Sequence, residues 1–119
     1  MILVDTSVWV GHLRKGNGQL QQLLSDGDVA CHPFVLPELA CGNLRNRSAL
    51  LLLLRDLPQA PTVSDQEWMV FLEQHRLMGQ GLGFVDVHLL ASARLGGMTL
   101  WTADRRLNAA ARRLGMAHG

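Results

Sequence analysis

The opening stretch Ile2-Leu3-Val4-Asp5-Thr6-Ser7 constrains the fold more than any other part of the chain. Ile2 to Val4 is an apolar, largely β-branched run, and the Asp-Thr-Ser cluster behind it has the chemistry of a helix start. The run therefore reads as a buried strand that ends on a carboxylate and passes straight into a helix. Such a strand belongs to a sheet covered by helices, and in open α/β sheets ligands bind at the carboxyl edge, where Asp5 falls.

The rest of the chain repeats the alternation. Val8 to Lys15 is expected as a helix broken by Gly16-Asn17-Gly18, and Leu20, Leu23 and Leu24 mark a second helix that Gly27 ends. Val29 to His32 reads as a strand. Pro33 and Pro37 bracket the entry to a helix carrying Glu38, and Ser48 is the expected cap of a helix holding Leu50 to Leu54. Thr62-Val63 is expected as a short strand. Ser64 to Glu67 has the form of a capping box before a helix whose Trp68, Phe71, Leu72 and His75 should dock on the sheet. After a glycine-rich turn from Gly79 to Gly83, Asp86 opens a nearly all-apolar helix expected to be central. Met98 to Thr102 reads as a strand, and Leu107, Ala110, Ala111 and Leu114 form the apolar stripe of a last helix that Gly115 caps. Short connections between alternating strands and helices call for α/β architecture: a central parallel sheet with helices on both faces.

One domain over 1–119 is expected, because 48% of the residues are hydrophobic, only 4 are proline, and no linker or repeat interrupts the pattern. With no basic leader before Ile2 and no apolar run near about 20 residues, neither a signal peptide nor a membrane span is expected, which points to the cytoplasm. In that compartment Cys31 and Cys41, far from any Cys-x-x-Cys spacing, are expected as buried thiols rather than zinc ligands. The net charge of +1 argues neither for nor against a nucleic-acid partner, and all basic residues except Lys15 are arginines, which suits bidentate recognition of phosphate or carboxylate better than a diffuse polycation would.

Four carboxylates stand at element ends: Asp5 after the first strand, Glu38 and Asp86 near helix starts, and Asp104 after the strand Met98 to Thr102. Strand ends and the starts of the following helices share one rim of a parallel sheet, so residues scattered in sequence can converge. Like charges placed together disfavour one another's ionisation, and a divalent cation is the natural counter-charge. Oxygen-only ligands suit Mg²⁺ or Mn²⁺ over zinc or copper, and such ions serve the hydrolysis of phosphate esters. The same residues also suit plain capping: Asp5, Asp86 and Asp104 as helix caps, Glu38 as a first-turn acid. On the metal reading, Asp5→Asn removes a ligand and relieves repulsion, so the metal-free protein is expected to gain thermal stability.

Four blocks in register resemble the PIN-domain ribonucleases, specifically the VapC toxins of bacterial toxin–antitoxin pairs. They are Leu3 to Trp9; Pro37-Glu38-Leu39 with Gly42; Gly81 to Ala93; and Leu100 to Leu107, and the resemblance runs from the first residue to about Gly115. It implies a PIN-like three-layer sandwich and a Mg²⁺-dependent endoribonuclease with Asp5, Glu38, Asp86 and Asp104 as catalytic and metal-binding residues and the Thr6 and Thr102 hydroxyls beside them. It further implies a tRNA or rRNA substrate, a homodimer, and a cognate VapB-type antitoxin, through which any DNA contact would be indirect. The chain departs from the pattern at Ala103, where relatives often carry a larger or basic residue, and after Gly115, where a last edge strand is expected to be stunted.

Two rival readings are a catalytically idle PIN-fold binding module and a phosphoaspartyl-type phosphohydrolase. The second requires a late lysine, yet the only lysine is Lys15, and Asp5 lacks the Asp-x-Asp form. Gly79-Gln80-Gly81-Leu82-Gly83 lacks the spacing of a dinucleotide loop and reads as a turn. The five histidines are expected to be hydrogen-bonded or on the surface, and Trp9 and Trp101 to pack in the core. Leu50 to Leu54 carry more apolar surface than one face can bury, which suits a homodimer contact. With the Trp68, Phe71 and Leu72 helix, that segment is the expected wall of a groove for an antitoxin helix, whose basic side chain would enter the acidic site.

Overall fold

In a computed structural model describing residues 1–119, three parallel strands, β1 (Ile2–Val4), β2 (Val29–Ala30) and β3 (Thr99–Trp101), lie in the order β2-β1-β3. Ile2 and Leu3 of β1 face Val29 and Ala30 on one side, and Ile2, Leu3 and Val4 face Thr99, Leu100 and Trp101 on the other. Helices α1 (Thr6–Lys15) and α2 (Gly18–Ser25) connect β1 to β2. The second crossover holds α3 (Val35–Ala40), α4 (Arg47–Asp56), α5 (Asp65–Gln74) and α6 (Phe84–Gly96), and α7 (Arg105–Arg113) follows β3. The first crossover runs from the central strand out to β2 and the second runs back across the sheet from β2 to β3, and with their usual right-handedness these opposite directions put helices on both faces of the sheet. Leu3 and Val4 are completely buried, as an apolar central strand requires.

The strands are shorter than expected, and both edges are finished by single bridges. Gln59 pairs with Cys31, locked by Cys31 N–H donating to Pro58 O and Ala60 N–H donating to Cys31 O, each at 2.8 Å. The ladder beyond β2 therefore lies at Gln59, and Thr62-Val63, expected as a strand, is not one; Pro61 immediately before it lacks the N–H that would carry the ladder on. At the other edge Leu100 pairs with Ala117, so the last edge strand is stunted to one bridge, as expected.

Three further expectations change. The cap of α4 is Asn46, in the left-handed region at φ 55°, not Ser48. The Arg47 guanidinium donates to Ala40 O at 2.8 and 2.9 Å and so ties the helix start to the end of α3. The capping box Ser64–Glu67 forms, but α5 packs on α6 rather than on the sheet and buries no residue fully. Cys31 is buried, whereas Cys41 is exposed at the end of α3. Trp9 is completely buried, and Trp101 is half-buried against His118 at 5.1 Å between ring centroids. In α4, Leu50 and Leu54 face inward while Leu52 and Leu53 are 60% and 46% exposed. No helix is long and apolar enough to cross a membrane.

Candidate functional site

The strand order reverses at β1, and ligand crevices in open α/β sheets form outside the strand ends at such a point. Asp5 and Asp104 follow the adjacent strands β1 and β3, and the Asp5 N–H donates to Trp101 O at 2.9 Å, extending the ladder into the site. Asp5 is buried and its carboxylate is heavily partnered: Oδ1 accepts from Thr6 N–H at 2.7 Å, and Oδ2 accepts from Ser7 Oγ at 2.8 Å and Thr102 Oγ1 at 2.7 Å. The two hydroxyls accept in turn from successive amides, Ala103 N–H to Ser7 and Asp104 N–H to Thr102. Each hydroxyl has a single proton, already given to Asp5, so the 3.3 Å between Ser7 Oγ and Thr102 Oγ1 is proximity, not a third bond. The network fastens the end of β1 to the β3–α7 loop and sets where Asp104 stands.

Thr102, one of the hydroxyls expected near the site, lies against Asp5, and Ser7, which was not among them, does so as well. Thr6 contributes its backbone amide to Asp5, and its buried hydroxyl has no hydrogen-bond partner; it lies close enough to Glu38 to favour that group's charged form. The signal for Ser7 was in the sequence: an N-cap aspartate followed two residues later by a hydroxyl on the first helical turn. Ala103, for its part, joins the network through its amide, which any residue there would supply.

The bland roles of the carboxylates are real and coexist with a shared site. Asp5 and Asp104 cap α1 and α7, Asp104 Oδ1 accepting from Arg106 N–H at 2.9 Å and Leu107 N–H at 3.0 Å. Asp86 lies in the first turn of α6, which begins at Phe84, and its Oδ2 accepts from Gly83 N–H at 2.9 Å. That helix start is set by the preceding turn: Gly81, at φ +75°, lies so close under Arg106 that a Cβ would come within 2.6 Å of its side chain.

Electrostatics joins the four. Burial first, then the charges of Asp5 and Asp86, push the Glu38 carboxyl up from its ordinary range. Burial also raises Asp86; the bond from Gly83 opposes this, and the charges of Asp5 and Asp104 add to it. No basic side chain is among the groups acting on either. No three acidic, histidine or cysteine side chains close up tightly enough to enclose an ion by themselves. The donor set nevertheless fits a hard cation that keeps several of its waters and takes one or two carboxylates directly. Asp86 and Asp104 each have a second oxygen outside the capping bonds, and both oxygens of Glu38 are outside the hydrogen-bond network.

Two of the five histidines are buried, and only His88 departs from the expectation of a hydrogen-bonded or surface ring. His32 is fully buried and satisfied: Phe34 N–H donates to its Nδ1 at 3.0 Å, which leaves Nε2 to donate to Ser92 Oγ at 2.8 Å. Burial, with the adjacent His88, lowers its pKa to about 4. His88 is buried with neither ring nitrogen hydrogen-bonded. The expected groove between α4 and α5 is instead two separate depressions: one of about 410 Å³ between α5 and α6, lined by Val70, Phe71 and Leu95 among others, and a smaller one on α4 at Leu51 and Leu52.

A three-stranded parallel sheet in this order, wrapped by helices and carrying four carboxylates on one rim, matches a known class. The PIN domain profile matches residues 2–113, and the chain belongs to the PIN-domain family. It is 48% identical over 118 residues to Ribonuclease VapC32 of Mycobacterium tuberculosis, in both the CDC 1551/Oshkosh and H37Rv strains, covering 98% of this chain and 95% of the relative. The VapC resemblance of the four motif blocks thus holds along the whole chain. Solved structures share the fold at lower identity. A chain of FitAB bound to an IR36 DNA fragment matches with a TM-score of 0.65 at 22% identity, over 94% of this chain and 91% of that one. PAE2754 from Pyrobaculum aerophilum matches with a TM-score of 0.58 at 18% identity, over 92% and 78%.

Proposed function

We infer that this protein is a Mg²⁺-dependent endoribonuclease of a toxin–antitoxin pair, cutting RNA at the site formed by Asp5, Glu38, Asp86 and Asp104. The observation that carries the reading is the uncompensated acidity of that rim: Glu38 and Asp86, from different helices, are each raised by burial first and by neighbouring carboxylates after it, and relieved by no cationic side chain. The ribonuclease name of the 48% identical relatives supports RNA as the substrate, and a VapB-type antitoxin as the partner follows from the same kinship.

In this reading Asp86, Asp104, Glu38 and Asp5 would hold the ion. When bound, the ion acidifies water and stabilises charge developing on the phosphate. The chain's own part is orientation. Ser7 and Thr102 hold Asp5 in a single rotamer by donating to one of its oxygens, and the Thr6 amide fixes the other. Because the metal-free carboxylates repel one another, a guanidinium from the antitoxin is a fitting inhibitor there. A tRNA or rRNA substrate, Mn²⁺ as a substitute ion, a homodimer through the exposed leucines of α4, DNA contact only through the antitoxin, and a cytoplasmic setting complete the proposal. The test is cleavage of total cellular RNA with Mg²⁺ and with EDTA, for the wild type and for Asp5→Asn, Glu38→Gln, Asp86→Asn and Asp104→Asn. Loss of cleavage in EDTA and a drop of at least about a hundredfold for Asp5→Asn and Asp86→Asn are expected. Wild-type rates in all four variants would refute the site, and RNA binding without cleavage would leave the idle binding module as the better reading.

A further inference from the structure

The chain has six aromatic residues, and three of them, Phe34, Trp68 and Phe84, meet two of its histidines in one cluster beside the acidic rim. Phe34 and Phe84 are stacked at 27° with centroids 6.1 Å apart, and Trp68 adjoins Phe84 at 5.4 Å. Beneath them the buried His88 ring stands edge-on to both phenyl rings, at 4.7 and 4.6 Å. Trp68 is pinned by its Nε1–H, which donates to Phe84 O at 3.1 Å, and Phe34 by its amide bond to His32. The rings are therefore held in place, yet Phe84 is 54% exposed, the only aromatic among the chain's exposed large hydrophobic residues.

Its position gives the exposure a use. The Glu38 N–H donates to Phe34 O, so Phe34 and Glu38 lie one helical turn apart on one face, about 6 Å along the axis. Phe84 opens the helix that carries Asp86. A phenylalanine thus caps one acidic helix and opens the other, and the two rings meet. A substrate phosphate at this rim approaches four carboxylates, and a net charge of +1 supplies little general attraction for RNA. Affinity must come from contacts indifferent to that charge, and a flat, rigid, half-open ring offers a base its π-face.

Resting on the ribonuclease reading, we propose that Phe84, backed by Phe34 and Trp68, is a stacking platform for one unpaired base next to the scissile phosphate and so helps select where RNA is cut.

The experiment measures binding of a short degenerate single-stranded RNA, fluorescein-labelled, by anisotropy in EDTA so that cleavage plays no part. Cut sites in total cellular RNA are then mapped with Mg²⁺. Phe84→Leu, which keeps apolar cover over His88 but no π-face, should weaken binding about five- to a hundredfold and redistribute the cut sites, while Phe84→Trp keeps both. Photocrosslinking the unaltered protein to 4-thiouridine-containing RNA should place an adduct at Phe84 or its neighbours, a readout independent of any variant's folding. Equal binding and cutting by wild type and Phe84→Leu, equal loss in the Leu and Trp variants, or adducts confined to other surfaces would overturn the platform. So would a Phe84→Leu protein that loses its antitoxin but not its RNA, which would make this a protein-docking face. Phe84-dependent binding by a wild type that cuts nothing would remove the ribonuclease reading and keep the platform.

Discussion

Asp5→Asn sets two opposing effects against each other. Charge alone predicts a gain, because removing one of four like charges relieves repulsion in the metal-free fold. The structure adds the opposing effect. An asparagine in the same rotamer must present its oxygen to Thr6 N–H, so its NH₂ faces Ser7 Oγ and Thr102 Oγ1, two groups that donate to Asp5 Oδ2. Both hydroxyl protons then lose a charged acceptor. Across the 3.3 Å between them one hydroxyl can turn to donate to the other, and the second proton is left without a partner. Hydrogen bonds to a charged group are worth about 1.5–3 kcal/mol and neutral ones about 0.5–1.5, so exchanging two costs roughly 2 kcal/mol. The repulsion relieved is smaller, because Asp5 ranks behind burial in raising Glu38 and behind both burial and the Gly83 bond at Asp86. A net loss of about 1–2 kcal/mol lowers the melting temperature by roughly 3–8 °C in a domain of this size. Calorimetry in EDTA at neutral pH reads it directly. Glu38→Gln is the contrast: only the Thr6 hydroxyl favours the charge of Glu38, less than burial and the neighbouring carboxylates oppose it, so the same removal of charge should leave the melting temperature unchanged or raise it. A rise for Asp5→Asn, or equal falls for both, would refute the reasoning.

His32, held neutral with its pKa lowered to about 4, contributes stability that is fully present above its ordinary value of 6.5 and is lost as the pH falls toward 4. The loss amounts to about 3 kcal/mol, and His32→Gln should flatten the slope of melting temperature against pH in that window. Glu38 and Asp86 run the other way: with raised pKa values, their contribution is full below the ordinary carboxylate range and is lost as the pH rises through the raised values. At neutral pH the wild type should therefore melt higher with Mg²⁺ than with EDTA, and Asp86→Asn should shrink that difference; an unchanged difference would refute Asp86 as a ligand. Leu52→Glu and Leu53→Glu, which charge the exposed face of α4, should dissociate the proposed homodimer in a sedimentation experiment, whereas a wild type sedimenting at every concentration as a 13.1 kDa monomer would exclude it.

Local chemistry made much of this protein readable from its residues alone. An apolar run such as Ile2 to Val4 has one stable destination, a covered sheet, and the Ser64–Glu67 capping box and the stripe of Leu107, Ala110 and Ala111 follow from helical spacing and backbone hydrogen bonding within a few residues. The four carboxylates were legible for the same reason, since each sits at an element's end. What only the tertiary structure decided depends on residues distant in sequence. Ser7 belongs to the site because the β3–α7 loop brings the amide of Ala103 to it. Thr62-Val63 is no strand because Gln59, whose neighbours Pro58 and Ala60 bond to the backbone of Cys31, takes that edge of the sheet. The docking of α5 on α6 instead of the sheet, and the meeting of Phe34 with Phe84 across the first turns of two helices, were likewise settled by packing, because periodicity records which face of a helix is apolar and nothing of what that face will meet.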